Sequence, residues 1–79
     1  MSAVQTRLSE LLIAQFGVTE NDITPEATFD EMALDSLALI EFTMVIKKDM
    51  GVLLDDDALQ PTSTIADAAA LIEAKGVRV

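Results

Sequence analysis

Ser36 stands directly after Asp35 at the head of a helical pattern, and a hydroxyl in that place either caps the helix, takes up a substituent, or attacks one with the help of a base. The third role needs a partner that this chain lacks. It has no His and no Cys, so a His-based triad, a thiol nucleophile and an ordinary zinc site are all excluded. A Ser-Lys pair fails on distance, because Lys47 lies about 16 Å along a helix that rises 1.5 Å per residue. Arg7, Lys75 and Arg78 come from distant segments, and nothing in their spacing brings them to Ser36. Asp55, Asp56 and Asp57 lack the alternating ligands, central Gly and terminal Glu of a calcium loop, so they read as a solvated acidic run and no metal site is expected. Most intrinsic catalysis is thereby ruled out. Taken singly, a serine at a helix start is usually just a cap.

The element that carries Ser36 spans 36–50, with Asp35 suited to cap it and Gly51 to end it. At about 100° per residue, Ala38, Leu39, Phe42, Val45, Ile46 and Met50 share a core-facing sector. Ser36, Leu37, Ile40, Glu41, Met44, Lys47 and Lys48 fall on the other side. An apolar stripe of Leu37, Ile40 and Met44 therefore shares a face with charges. Either a partner docks there, or a neighbouring loop or the first helix covers it.

A helix over 3–16 precedes it, with Val4, Leu8, Leu11, Leu12 and Phe16 on one face, a Ser2–Gln5 capping box and Gly17 at its end. Residues 17–35 show no sustained period and read as a long loop, pinned to the core by Val18, Ile23 and Phe29, with a short turn at 28–32. One short helical turn is expected at 55–60, ahead of Pro61. A last helix follows the Thr64–Asp67 capping box, with Ile65, Ala68, Ala69 and Ile72 inward and Lys75 and Gly76 at its close. The fold class is all-α, a bundle of three main helices plus one short one, in a single domain over 1–79.

At 79 residues without disulfides, the core is small, and burial reaches only about 60% of the unfolded surface. The 51% hydrophobic fraction nonetheless argues for a folded chain. The Cys-free composition points to the cytoplasm, and neither a membrane span nor a signal peptide is expected. A net charge of −9 opposes binding to nucleic acid or anionic lipid. All of that excess lies within residues 20–57, which suits either a solvated surface or a face for basic partners.

The segment Leu34 to Phe42, LDSLALIEF, resembles the modification motif of acyl carrier proteins, in which D-S-L opens the second helix. The likeness extends over nearly the whole chain, from the helix after Ser2 through the long loop and the acidic third element to the helix after Thr64. It implies that Ser36 accepts 4′-phosphopantetheine, covalently, from coenzyme A through a separate phosphopantetheinyl transferase. Acyl groups would then ride as thioesters on the arm, and the chain would be a carrier and not an enzyme. The same likeness implies a right-handed antiparallel bundle, with Phe42, Ile46, Met50, Leu54, Ile65 and Leu71 as candidate walls for an acyl chain. Asp35, Leu37, Ile40, Glu41 and Met44 match the positions that partner enzymes read.

Those partners would be acyl-loading enzymes, ketosynthases or other condensing enzymes, and a thioesterase or acyltransferase, each meeting a monomeric carrier. Ala33, Ala38, Lys47 and Lys48 depart from the fatty-acid pattern, which usually has Gly before the D-S-L and an acidic helix end. The departures favour polyketide or mixed polyketide and nonribosomal peptide assembly. A fatty-acid carrier and a peptidyl, aryl or D-alanyl carrier share the architecture. The reading from another class is an acidic helical interaction module that is never modified.

Overall fold

A serine, an aspartate and a threonine start the three helices. The computed structural model describes residues 2–76, and among these it contains α1 (Ala3–Phe16), α2 (Ser36–Met50) and α3 (Ile65–Ala74), two short 3₁₀ helices (Glu20–Asp22 and Asp30–Met32) and no strand. The Ser2 hydroxyl accepts the Gln5 N–H at 3.2 Å, and the Gln5 side chain accepts the Ser2 N–H at 3.3 Å. Thr64 and Asp67 exchange the same pair of bonds at 3.0 and 3.1 Å. Asp35 accepts the Ala38 N–H at 2.8 Å. Each cap satisfies N–H groups that have no acceptor inside the helix. Gly17 and Gly51 end α1 and α2 at φ 68° and 70°, where a Cβ would be strained. No helix among the described residues is long and apolar enough to cross a membrane.

The predicted faces pack into one core. Leu8, Leu12, Leu39, Phe42, Ile46, Ile65 and Ile72 are fully buried, and α1 lies directly against α3. Phe42 joins the aromatic residues. Its ring meets Phe16 edge-on at 5.5 Å between centroids and Phe29 at 6.1 Å. Thr43, which falls between the two predicted sectors of α2, is buried as well. Its hydroxyl donates to the Ile40 carbonyl at 2.7 Å, so its burial leaves no polar group unsatisfied.

The long loop is stitched to the segment ahead of α3 by backbone bonds. Phe29 N–H donates to Ser63 O at 3.0 Å, Asp30 N–H to Pro61 O at 2.8 Å and Ala66 N–H to Pro25 O at 3.0 Å. Val18 and Phe29 are buried as expected and Ile23 is half-buried, while Met32 and Leu34 add two anchors that aperiodic sequence did not reveal. The short helical turn expected at 55–60 is a single turn that is not helical, closed by Ala58 N–H to Asp55 O at 3.0 Å. Three consecutive carboxylates repel one another and favour local side-chain bonding over helix, and Pro61 disfavours the α-conformation at Gln60.

Ala33 adopts φ 62° and is the one non-Gly residue with positive φ among those described. A Cβ in this region costs roughly 1–2 kcal/mol, of which the extra unfolded-state freedom of glycine offsets part. Ala33→Gly should therefore raise stability by about 0.5–1 kcal/mol, a melting temperature about 3–6 °C higher by calorimetry. An unchanged or lower melting temperature would show that the strain is relieved elsewhere.

Candidate functional site

The site begins where the anchored loop runs into α2. Leu34 is buried, with its N–H bonded to Phe29 O at 3.0 Å, and this fixes the exit of the chain toward Asp35 and Ser36. Ser36 is the first residue of α2 and is exposed. Beside it lies an open hollow lined by Asp30, Ala33, Leu34, Asp35, Ser36 and Pro61. The Asp35 carboxylate is occupied as the cap, and the Asp35 carbonyl accepts the Leu39 N–H at 3.0 Å. That leaves the N–H groups of Ser36 and Leu37 without an acceptor among the described residues. The end of a fifteen-residue helix thus turns free donors and the positive end of its dipole toward the Ser36 hydroxyl.

The chain's other three serines are engaged. Ser2 accepts the Gln5 N–H, the Ser9 hydroxyl donates to Gln5 O, and Ser63 accepts the Gln60 N–H. The Ser36 hydroxyl makes no hydrogen bond to the described residues, so it is available for a substituent at no structural cost.

Further along α2 the structure leaves the predicted stripe largely uncovered. Leu37 is 64% exposed and Met44 65%, with Glu41 exposed beside them and Ile40 half-buried at the margin. Among the described residues no loop or helix covers Leu37 or Met44, which removes the simpler explanation of an apolar stripe. Phe42, Ile46, Met50, Leu54 and Ile65 are buried in the core, but Leu71 is 39% exposed and is no inner wall. Its helical angle places it well away from the Ile65–Ala68–Ala69–Ile72 face, a signal that the sequence already carried. Leu53, at 66%, is a further exposed apolar side chain that the sequence reading did not single out.

Two carboxylates have lowered pKa values. Arg7 on α1 donates from Nε to Asp49 Oδ2 at 2.8 Å and from a second nitrogen to Asp49 Oδ1, and this fork holds the Asp49 carboxyl below its usual range. The Thr28 N–H, at 2.8 Å from Glu31 Oε1, together with the Thr28 hydroxyl, lowers Glu31. A carboxylate whose folded pKa is depressed contributes stability above its unfolded value, about 3.9 for Asp, and loses it as pH falls through the folded value. The gap in melting temperature between the wild type and Asp49→Asn should therefore be full above about pH 5 and close below about pH 4. A gap independent of pH would place the contribution of Asp49 outside its charge. Among the described residues, no group of three or more metal-ligating side chains is gathered.

With this geometry in place, comparison with known proteins is specific. A family model described as a phosphopantetheine attachment site matches residues 6–72. Over 74 residues the chain is 34% identical to an acyl carrier protein of Nitratidesulfovibrio vulgaris (strain DSM 19637 / Miyazaki F), an alignment covering 92% of this chain and 97% of that relative.

Proposed function

The chain belongs to the acyl carrier protein family, which makes 4′-phosphopantetheine its covalent cofactor, and we propose that the Ser36 hydroxyl is where the group is attached. The observation that carries this reading is the free, exposed Ser36 hydroxyl at the head of α2, against three other serines that are already hydrogen-bonded. The residues present suit a phosphodiester. Its negative charge would meet the free N–H groups of Ser36 and Leu37 and the positive end of the α2 dipole. When bound, the cofactor supplies a thiol for thioester formation, which this Cys-free chain otherwise lacks.

The chain's own residues present and orient. Asp35 fixes the first turn of α2, the anchored loop fixes Asp35, and Leu37, Ile40 and Met44 offer an apolar strip flanked by Asp35 and Glu41 to enzymes with apolar and basic surfaces. In this role the chain is a cytoplasmic, monomeric carrier with no chemistry of its own. It takes its arm from a phosphopantetheinyl transferase and passes acyl groups between loading, condensing and releasing enzymes. Ala38, Lys47 and Lys48 favour polyketide or mixed polyketide and nonribosomal peptide assembly over primary fatty-acid synthesis.

Incubation with coenzyme A, magnesium and a broad-specificity transferase is expected to raise the intact mass by one phosphopantetheine. Ser36→Ala should abolish the gain and shift stability by no more than about 0.5 kcal/mol, since the lost hydroxyl bonds to no described residue. Equal loading of the variant would refute the assignment of Ser36.

A further inference from the structure

The exposed face of α2 changes sign along its length. Asp35 and Glu41 are exposed toward its start, Leu37 and Met44 stand out between, and Lys47 and Lys48 are exposed in its last turn. The seven-residue step from Glu41 to Lys48 is about 10 Å along the axis, so one docking partner spans both signs.

The lysines at this end are not neutralised within the fold. Neither Lys47 nor Lys48 makes a salt bridge among the described residues. The positions three and four residues before them are Thr43, Met44 and Val45, which offer no carboxylate. The adjacent Asp49 is taken by Arg7 from α1. Cations at a helix C-terminus do complement its dipole, but that preference does not require two neighbouring lysines on the same exposed face as the apolar strip.

Resting on the carrier reading above, we infer that the acyl-transferring partner of this chain presents a bipolar surface. Basic side chains face Asp35 and Glu41, an apolar groove takes Leu37 and Met44, and acidic side chains face Lys47 and Lys48. Such a surface selects this carrier against one whose α2 is acidic throughout, because the far acid would then meet the partner's own carboxylates.

The purified ketosynthase of the same organism, assayed for acyl transfer from the loaded chain, provides the test. Lys47→Glu/Lys48→Glu should lower kcat/KM about 10-fold at low salt with kcat retained, and the milder Lys47→Gln/Lys48→Gln about 3-fold, both losses shrinking as salt is added. Thermal melts confirm that each variant is folded, and the Gln pair keeps the test valid if the Glu pair is not. A uniformly basic partner reverses the sign, since added negative charge would then raise kcat/KM. A rise, or no change, overturns the inference. If Leu37→Ala/Met44→Ala impairs transfer while the lysine variants do not, only the bipolar partner is lost. If the wild-type chain transfers nothing, the carrier reading falls and this inference with it.

Discussion

Phe42→Ala is expected to cost about 3–5 kcal/mol of stability. Phe42 is wholly buried, and its ring is the shared partner of Phe16 on α1 and Phe29 in the long loop. Removing it opens a cavity where helix, helix and loop meet, and both edge-on aromatic contacts go with it. Total stability for a chain of this size is on the order of 4–12 kcal/mol, so the loss takes at least about a quarter of it and, at the low end of that range, all of it. Phe42→Leu, which keeps most of the volume, should lose only about 1–2 kcal/mol. Urea unfolding followed by circular dichroism reads both. A loss below about 1 kcal/mol for the alanine variant would mean that the core is not organised around this ring.

The opposite face of the same helix should behave in the opposite way. Leu37→Ala/Met44→Ala truncates side chains that are 64% and 65% exposed, so stability should move by no more than about 0.5 kcal/mol. Loading of Ser36 by the transferase should nonetheless slow by about 10-fold or more, because apolar anchors at an interface centre carry a large share of binding energy. The slowing should appear in kcat/KM, measured beside thermal melts of the same samples. Unchanged loading with an unchanged melt would make the strip an ordinary exposed surface. A lower melting temperature accompanying slow loading would instead assign Leu37 and Met44 to the fold.

The helices were legible because their signals are local. Ser2 with Gln5, Asp35 alone, and Thr64 with Asp67 announce helix starts within four residues, Gly17 and Gly51 announce ends, and a 3.6-residue period separates Phe42 and Ile46 from Leu37 and Met44. The loop was less legible because what holds it is distant. Nothing near Phe29 or Asp30 in the chain signals that their N–H groups will find the carbonyls of Ser63 and Pro61. Met32 and Leu34 follow no period, so their burial depends on that pairing. The Arg7–Asp49 fork joins two helices and has no local signature either.

The element at 55–60 is the single turn that the sequence suggests, without helical geometry. Asp55, Asp56 and Asp57 close one turn between the buried Leu54 and Leu59 and extend no helix. At the candidate site, the position and exposure of Ser36 followed from the cap and the helical angle. That its hydroxyl is free while Ser2, Ser9 and Ser63 are engaged required coordinates.

Fragment mass spectrometry of the protein recovered from its own cells decides whether Ser36 carries the arm. A phosphopantetheine is expected on the peptide that contains Ser36, localised to that residue, and none on Ser2, Ser9 or Ser63. An arm found on another residue, or an unmodified chain from cells whose transferase is active, would contradict it.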